Sequence, residues 1–227
     1  MSLARNIGTT DRSLVAQVVE HLRDAIMDGS LVPGEKLLEQ SLADQLHVSR
    51  IPLREAILVL ESEGFVRSIP RRGSHVTRLT MKDVHDLFDI RESLEVLAAR
   101  RAAECASELD PVLLAEVKDS LIRNRSAVAS GDDRAIAASS VQFHRFIVEM
   151  SGNALLSTLM RPVEGRVEWL FRMTSQRDQK AACREHDRLL RAILRGDADE
   201  AGRLAFDHIA SGREPSAAIL AAVLPEA

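Results

Sequence analysis

The stretch HVSRIPLREAILVLESEGFV, residues 47–66, decides the fold of the N-terminal part of the chain. Its apolar side chains recur at helical spacing and Gly64 follows them as a stop signal; they are Leu53, Ala56, Ile57 and Leu60. Arg50 and Arg54 lie four residues apart at the start of this helix, which costs an isolated helix roughly 0.2–0.5 kcal/mol. Because two like charges this close repel each other, we expect a negative charge to lie opposite them, and we expect a binding partner to supply it.

The sequence on either side of this helix predicts a small unit of helices and strands. Residues 13–28 show helical spacing, and LEQSLADQLH, residues 38–47, predicts a short helix with one apolar face formed by Leu38, Leu42 and Leu46. After Gly64 the period changes, and FVRSI and SHVTRL predict two strands joined by the turn PRRG. Residues 10–79 are therefore predicted to form three helices and a β-hairpin, the outline of a winged helix-turn-helix.

Charge is distributed unevenly along the chain. The net charge is −4, yet residues 48–79 contain six arginines against three glutamates. In a winged helix-turn-helix the second helix of the motif enters the major groove of DNA with its first residues toward the base edges. Arg50 and Arg54 occupy those turns, and arginine is the usual bidentate partner of guanine. A basic patch on a mildly acidic chain indicates a nucleic-acid-binding module attached to a second domain.

Two further groups of residues are candidates for the DNA interface. Ser49 is placed to cap the helix that carries the arginines. Arg71, Arg72 and Gly73 form the predicted hairpin tip, which could reach the neighbouring minor groove. A solvated, charged helix face beside a basic loop is the alternative, and it would suffice for any one arginine. The joint pattern of cap, paired arginines, apolar stripe and basic hairpin favours DNA.

From Thr80 onward the sequence predicts only helices. Thr80 and Asp83 resemble a capping box, and a single long helix follows them. Its apolar side is predicted to contain Val84, Leu87, Phe88, Leu94 and Leu97. Later helices are predicted from Pro111 to about Ser130 and over 132–150, 153–175 with an interruption near Pro162, 178–195 and 198–212. The expected fold is mainly α, with a winged helix-turn-helix domain over residues 1–79 and an all-α antiparallel helical bundle over residues 80–227.

Composition narrows the class of protein. Aromatic residues are 3% of the chain and tyrosine is absent, which favours an Ala- and Leu-rich helical protein over a β-sandwich. The two cysteines, Cys105 and Cys183, are far apart, as expected for reduced thiols. No signal peptide and no membrane-spanning apolar run is evident. We therefore expect a cytoplasmic protein without a membrane partner.

Three histidines and one arginine are the candidate site residues of the helical part. His144, His186 and His208 each lie on a different predicted helix, so they could converge on a metal ion or could be separate core residues with their own partners. Arg91 lies among apolar neighbours on the long helix. It could bind a carboxylate with two parallel hydrogen bonds, or it could form a surface salt bridge with Glu95 one turn away.

The N-terminal part resembles the DNA-binding domain of the GntR family of bacterial transcription regulators. The resemblance is carried by LVPGEKLLEQSLADQLHVSRIPLREAILVLESEGFVRSIPRRGSHV and covers about residues 12–79. It implies that Arg50 and Arg54 contact bases and phosphates, with a wing near Arg72 and Gly73. Two positions depart from the pattern. His47 stands where the family has a glycine with a left-handed backbone, and Gln40 stands where fatty-acid-responsive members have a DNA-contacting arginine.

The helical part resembles the ligand-binding domain of the FadR branch of that family, called FCD. The motifs are R-x-x-L-E at 91–95, F-H at 143–144, G-N at 152–153, E-H at 185–186 and a last H-I at 208–209. The resemblance implies a small carboxylate effector bound near Arg91 and Asn153. It also implies a divalent metal such as Zn²⁺, held by His144, His186, His208 and an aspartate.

The position of that aspartate is occupied by Ser140, a poor metal ligand. The metal would then be held less tightly, or through a water or the carboxylate of the effector. Cys183, one turn before His186, could replace the acid as a thiolate. The simpler interpretation is that Cys183 is a small buried side chain.

Three functions remain open at this level. The leading hypothesis is a ligand-responsive repressor that binds a short inverted-repeat operator as a homodimer and senses a small organic acid in its C-terminal domain. A metal-dependent hydrolase using the three histidines is the rival, although no H-E-x-x-H motif is present. The third is a DNA-binding protein whose helical domain only dimerises. We predict a regulator, not an enzyme.

Overall fold

The computed structural model describes residues 13–226 and separates into two compact units, with the boundary between Leu79 and Thr80. The first unit contains α1 (Leu14–Met27), α2 (Glu39–Leu46), α3 (Arg50–Ser62), β1 (Val66–Ile69) and β2 (Gly73–Val76). The second contains α4 (Met81–Glu104), a 3-10 turn at Ala106–Glu108, α5 (Pro111–Ser130), α6 (Asp133–Met150), α7 (Ala154–Met173), α8 (Gln179–Leu194) and α9 (Ala198–Leu220). The predicted fold class, three helices and a hairpin followed by a helical domain, is confirmed.

The first unit is built around the buried faces of its three helices. The apolar positions predicted for α3 are all buried, and they pack against α1. Arg23 on α1 forms a two-pronged ion pair with Glu63 at the end of α3, with atoms as close as 2.7 Å. The prediction for Leu38 is wrong, because the helix begins one residue later and the buried side chain there is Leu37.

The turn between α2 and α3 depends on one residue with an unusual backbone. His47 has φ 54° and ψ 40°, the left-handed conformation that the sequence led us to expect at this position. It ends α2, and the chain enters α3 two residues later, after Val48 and Ser49. The cost of a left-handed non-glycine residue is modest for histidine, so the helix-turn-helix geometry is retained.

The second unit is a helical bundle in which α4 packs chiefly against α9 and α6 packs against α4, α5 and α7. The predicted capping box is present, since Thr80 and Asp83 exchange side-chain-to-backbone hydrogen bonds at the start of α4. The buried face of α4 differs from the prediction. Leu97 is 42% exposed, whereas Arg91 and Glu95 face inward together with Ala98 and Ala102.

Two predicted interruptions do not occur. Helix α7 continues through Pro162, and α9 continues through Gly212 and Pro215 to Leu220. Buried side chains lie on both sides of each interruption, Met160 and Val167 in α7 and Ile209 and Ser216 in α9. Packing therefore outweighs the local cost of the missing hydrogen bond at proline. Within the described residues, no helix is both long and apolar enough to cross a bilayer.

Candidate functional site

The opposing charge predicted for Arg50 and Arg54 lies within the chain itself. Glu39, the first residue of α2, accepts a hydrogen bond from Arg54 Nε at 2.6 Å and from Arg50 Nη2 at 3.4 Å, both through Oε2. The expectation that only a binding partner supplies this charge is therefore wrong. The arginines stay more than half exposed, at 52% and 58%, so they remain accessible while they are paired.

Glu39 is held in its charged form by this arrangement. The hydrogen bond from Arg54 lowers the pKa of the carboxyl, partial burial opposes that, and Arg50 lowers the pKa further. Arg54 uses its Nε toward Glu39, which leaves the Nη end of its guanidinium toward solvent. An arginine held in this way presents the edge that can pair bidentately with guanine.

The remaining predicted DNA contacts lie at the start of α3 and at the hairpin tip. Ser49 occupies the N-cap position of α3, but its side chain makes no capping hydrogen bond, so the predicted cap is incorrect in that detail. Arg71 has φ 63°, and Arg72 N donates to Ile69 O at 2.9 Å to close the turn. Arg71, Arg72 and Gly73 are all exposed on this turn.

In the helical unit, three histidines from three helices meet in the interior. His144 of α6, His186 of α8 and His208 of α9 are all buried, and one ring nitrogen from each lies within 4.8 Å of the others. His208 Nε2 lies 3.2 Å from His186 Nε2 and 3.4 Å from His144 Nε2. The three histidines therefore converge, which their spacing in the sequence alone could not decide.

Carboxylates fix the orientation of two of these rings. His144 Nδ1 lies 2.8 Å from Glu95 Oε2, and His208 Nδ1 lies 2.8 Å from Glu185 Oε2. A carboxylate accepts a hydrogen bond, so each of these Nδ1 atoms carries a proton, and in the neutral ring Nε2 presents a lone pair. Two lone pairs thus face each other across 3.4 Å, an arrangement that a cation between them would relieve.

His186 and His208 remain neutral over the physiological pH range. Burial lowers the pKa of His208 to about 4, despite the hydrogen bond with Glu185. Burial and the neighbouring His208 and His144 lower the pKa of His186 well below its ordinary value. Neutral imidazoles with oriented Nδ1 protons are the form in which histidine binds metals. The residues present therefore fit a divalent metal ion, which His144, His186 and His208 would hold through Nε2.

The position where the family resemblance implies an aspartate is part of a separate polar network. Asn124 of α5 donates from Nδ2 to Ser140 Oγ at 3.0 Å and to Ser139 Oγ at 2.9 Å. Cys183 Sγ donates to Asn124 Oδ1 at 2.8 Å, and burial raises the pKa of its thiol. Cys183 is not among the converging ligand atoms, so the thiolate alternative has no geometric support.

Arg91 forms the ion pair with Glu95 that was one of its two sequence interpretations, but the pair is buried and not on the surface. Its Nε lies 2.7 Å from Glu95 Oε1 and its Nη2 lies 3.4 Å from Glu95 Oε2, with both side chains at most 6% exposed. Burial alone would raise the pKa of Glu95, but Arg91 and His144 outweigh it and hold that pKa well below its ordinary range. The fork of Arg91 that could bind a carboxylate is thus largely occupied by Glu95.

Two small cavities adjoin the histidines. One is lined by Glu95, His144 and His208 among apolar side chains. The other is lined by Arg91, Ser140, Phe171, Arg177, His186, His208 and Gly212, with other neighbours. Each has a volume of about 10 Å³, room for one water or ion. Asn153 lines neither; its side chain caps α7 by accepting from Leu156 N at 3.1 Å, and its predicted effector role stays a prediction.

Both units match known families over most of their length. The model "Bacterial regulatory proteins, gntR family" matches residues 14–76, and the model "FCD domain" matches residues 86–211. The second match alone covers more than half of the chain. This chain belongs to the GntR family, in its FadR branch. It is a transcriptional regulator with a DNA-binding GntR domain and an FCD domain, and not an enzyme, so the hydrolase alternative is excluded.

The similarity of this GntR-family regulator to known proteins extends over most of both chains. It is 29% identical over 195 residues to the HTH-type transcriptional regulator YdhC of Bacillus subtilis, covering 85% of this chain and 86% of that protein. It is 30% identical over 211 residues to the HTH-type transcriptional regulator LutR of Bacillus subtilis, covering 81% and 92%. A crystal structure of the transcriptional regulator GntR from Rhodococcus sp. RHA1 superposes with a TM-score of 0.72 at 25% identity, covering 93% and 99%.

Sequence reasoning did not single out three residues of this regulator's helical site. Asn124 lies at a core position of α5, one turn from buried Leu121 and Ala127, and a polar residue at such a position is a usable signal. Glu185 directly precedes His186 yet contacts His208, which only the fold reveals. Arg177 lies in the segment between α7 and α8, where no periodicity marks it.

Proposed function

We propose that this regulator is a ligand-responsive repressor that acts in the cytoplasm, where its DNA partner is found. It binds a short inverted-repeat operator as a homodimer and senses a small organic acid in its helical domain. Residues 1–79 are the DNA-binding domain and residues 80–227 the effector-binding and dimerisation domain. GntR-family regulators bind DNA operators and FCD domains bind small-molecule effectors, which supports both halves of the proposal.

The DNA-binding surface consists of the start of α3 and the hairpin tip. Arg50 and Arg54 read base edges in the major groove, and Ser49, whose hydroxyl makes no capping bond, contacts a phosphate. A second exposed group, at the hairpin tip, contacts the neighbouring backbone or minor groove; it consists of Arg71, Arg72 and Gly73. Their exposure and positive charge support this assignment.

The observation that supports the sensing role is the buried cluster of three histidine Nε2 atoms. Facing lone pairs inside a helical bundle are unfavourable unless a cation lies between them. A divalent metal bound there would supply a Lewis acid that attracts the carboxylate of an effector. Because the set contains no carboxylate ligand, the metal keeps its full double charge and at least one open position for an anion.

The sensing role requires the acid to bind two arrangements of the protein with different affinity. Each cavity has room for only one water or ion, so an organic acid must widen the site as it enters. This widening displaces side chains on α4, α8 or α9. We propose that such a displacement alters how two subunits present their α3 helices to the operator.

The test combines metal analysis with operator binding. An operator is selected from random duplexes, and its affinity is measured by fluorescence anisotropy with and without small carboxylic acids, for zinc-loaded and chelator-treated protein. We expect stoichiometric zinc and an acid that changes operator affinity at least tenfold. Operator binding that no acid in the panel changes would support the third function instead, a DNA-binding protein whose helical domain only dimerises.

A further inference from the structure

Arg177 is an incompletely paired arginine beside the histidine cluster, in the same cavity wall as Arg91, His186 and His208. Its Nε is buried and has no hydrogen-bond partner among the described residues. Within the part of the chain that the structure describes, its one side-chain hydrogen bond is from Nη1 to Gly212 O, at 3.4 Å. A buried charged donor without a partner costs more than the 1–3 kcal/mol typical of a neutral group.

The surroundings of Arg177 are shaped to hold this side chain in place. The ring of Phe171 is flanked by the guanidinium carbon of Arg177 at 5.2 Å and by that of Arg91 at 5.1 Å. A Cβ at Gly212 would lie 2.5 Å from Arg177 Nη1, so the absence of a side chain there makes room for the guanidinium. The position of Arg177 therefore explains why a glycine lies within α9, although glycine destabilises a helix by about 1 kcal/mol.

The two arginines differ in what already pairs with them. Arg91 is neutralised by Glu95 through two contacts. Arg177 has no ion pair among the described residues; the acid that raises its pKa is Glu185, which is hydrogen bonded to His208. Burial and repulsion from Arg91 lower the pKa of Arg177 to about 10, and it is still protonated at neutral pH. Arg177 is thus the cation of this cavity that lacks an anion.

We propose that Arg177, rather than Arg91, binds the carboxylate of the effector, through its Nε and one Nη. A carboxylate accepts two parallel hydrogen bonds from that edge of a guanidinium. Arg177 lies in the connection between α7 and α8, outside either helix, and its side chain lines the small cavity that the ligand enters. The ligand class is a small carboxylic acid, whose carboxylate is shared between Arg177 and the metal ion that the histidines hold in the proposed function. This inference rests on the proposed sensing function.

The experiment measures binding of C2–C6 mono- and dicarboxylates to the zinc-loaded full chain by thermal shift and calorimetry, beside the corresponding amides. For the acid that binds best, we expect Arg177→Gln to raise the Kd by about 10–100-fold, the range of a charge-assisted hydrogen bond. Arg177→Lys should recover only part of the loss, because an ammonium cannot offer two parallel donors. Zinc content and operator affinity without acid should not change in the control variant Arg191→Gln.

Arg191→Gln is the matched control, since Arg191 is an exposed arginine on α8 that lines neither cavity. An acid that binds Arg177→Gln with the Kd of the unaltered protein would overturn the inference and leave the sensing function standing. If no acid in the panel binds the unaltered protein, both the inference and the sensing function fail. Amides that bind as tightly as their acids would also overturn it, because Arg177 selects for a negative charge.

Discussion

Glu39 Oε2 lies 2.6 Å from Arg54 Nε, so the helix that carries the DNA-contact candidates is paired with an acid from the preceding helix. An exposed pair of this kind contributes only about 0–1 kcal/mol to stability. Its main effect is on the orientation of Arg54, whose Nη end is left toward solvent. We therefore regard Glu39 as a positioning residue for DNA recognition.

Replacing Glu39 with glutamine should change specific and non-specific DNA binding in opposite directions. Non-specific affinity rises because a negative charge leaves the DNA-facing surface. Affinity for the selected operator falls because Arg54 loses its fixed orientation, and the ratio of the two drops by about tenfold. Anisotropy titrations with operator and scrambled duplexes at one salt concentration measure both. Glu55→Gln removes an equal charge from the exposed face of α3 and should leave operator affinity no lower.

Arg54→Ala should abolish specific operator binding while the fold remains intact. Arg54 is 58% exposed, and its side chain is bonded to Glu39, so truncation removes little packing. We expect the operator affinity to fall to that for scrambled DNA, a loss of at least about 1–3 kcal/mol. The melting temperature and the oligomeric state should not change. Unaltered operator affinity would show that α3 is not the reading helix.

His186→Ala should remove bound divalent metal and blunt the effector response. The change deletes one of the three converging Nε2 atoms, and two nitrogens from different helices form a much weaker site. Metal analysis after dialysis should find less than a tenth of the zinc of the unaltered protein. His85→Ala is the control, since His85 is exposed on α4 and lies outside the cluster. Equal zinc in both variants would contradict the site.

The two carboxylates that orient the histidines should respond differently to neutralisation. Glu185→Gln weakens the hydrogen bond that orients His208. The Glu185 side chain is 23% exposed, so we expect a 10–100-fold lower metal affinity with little loss of stability. Glu95→Gln removes the partner of buried Arg91 and should destabilise the protein by about 3–5 kcal/mol. Zinc competition titrations and urea unfolding distinguish these effects. Similar stability losses for both would be inconsistent with the buried pair.

Ser140→Asp tests whether the serine weakens the metal site. An aspartate there adds a buried anion near the histidines and breaks the hydrogen bond from Asn124. Chelator-treated protein should therefore melt lower than the unaltered protein, because the charge is buried without a cation. Zinc-loaded protein should melt higher and bind zinc at least tenfold more tightly. Ser139→Asp, at the neighbouring position of the same helix, should lower the melting temperature without any gain in zinc affinity.

Local signals in the sequence predicted the local features well. The capping box at Thr80 and Asp83, the left-handed His47 and the helix–helix–helix–hairpin order all follow from short-range chemistry. The three histidines could be named, but not their convergence, because the distances between helices depend on packing. The same limit explains why the Arg91–Glu95 pair was expected on the surface and not in the core. Spacing of four residues is identical for a surface pair and a buried one.

Helix α9 runs without a break from Ala198 to Leu220, through the glycine that accommodates Arg177. His208 lies near its middle, and about 18 Å of helix separates it from Leu220. Shortly beyond that end, Pro225 O accepts a hydrogen bond from Met81 N, in the first turn of α4. We predict that this helix carries a movement at His208, in the proposed sensing site, to the start of α4, so that a tilt of a few degrees there displaces the backbone beside Thr80.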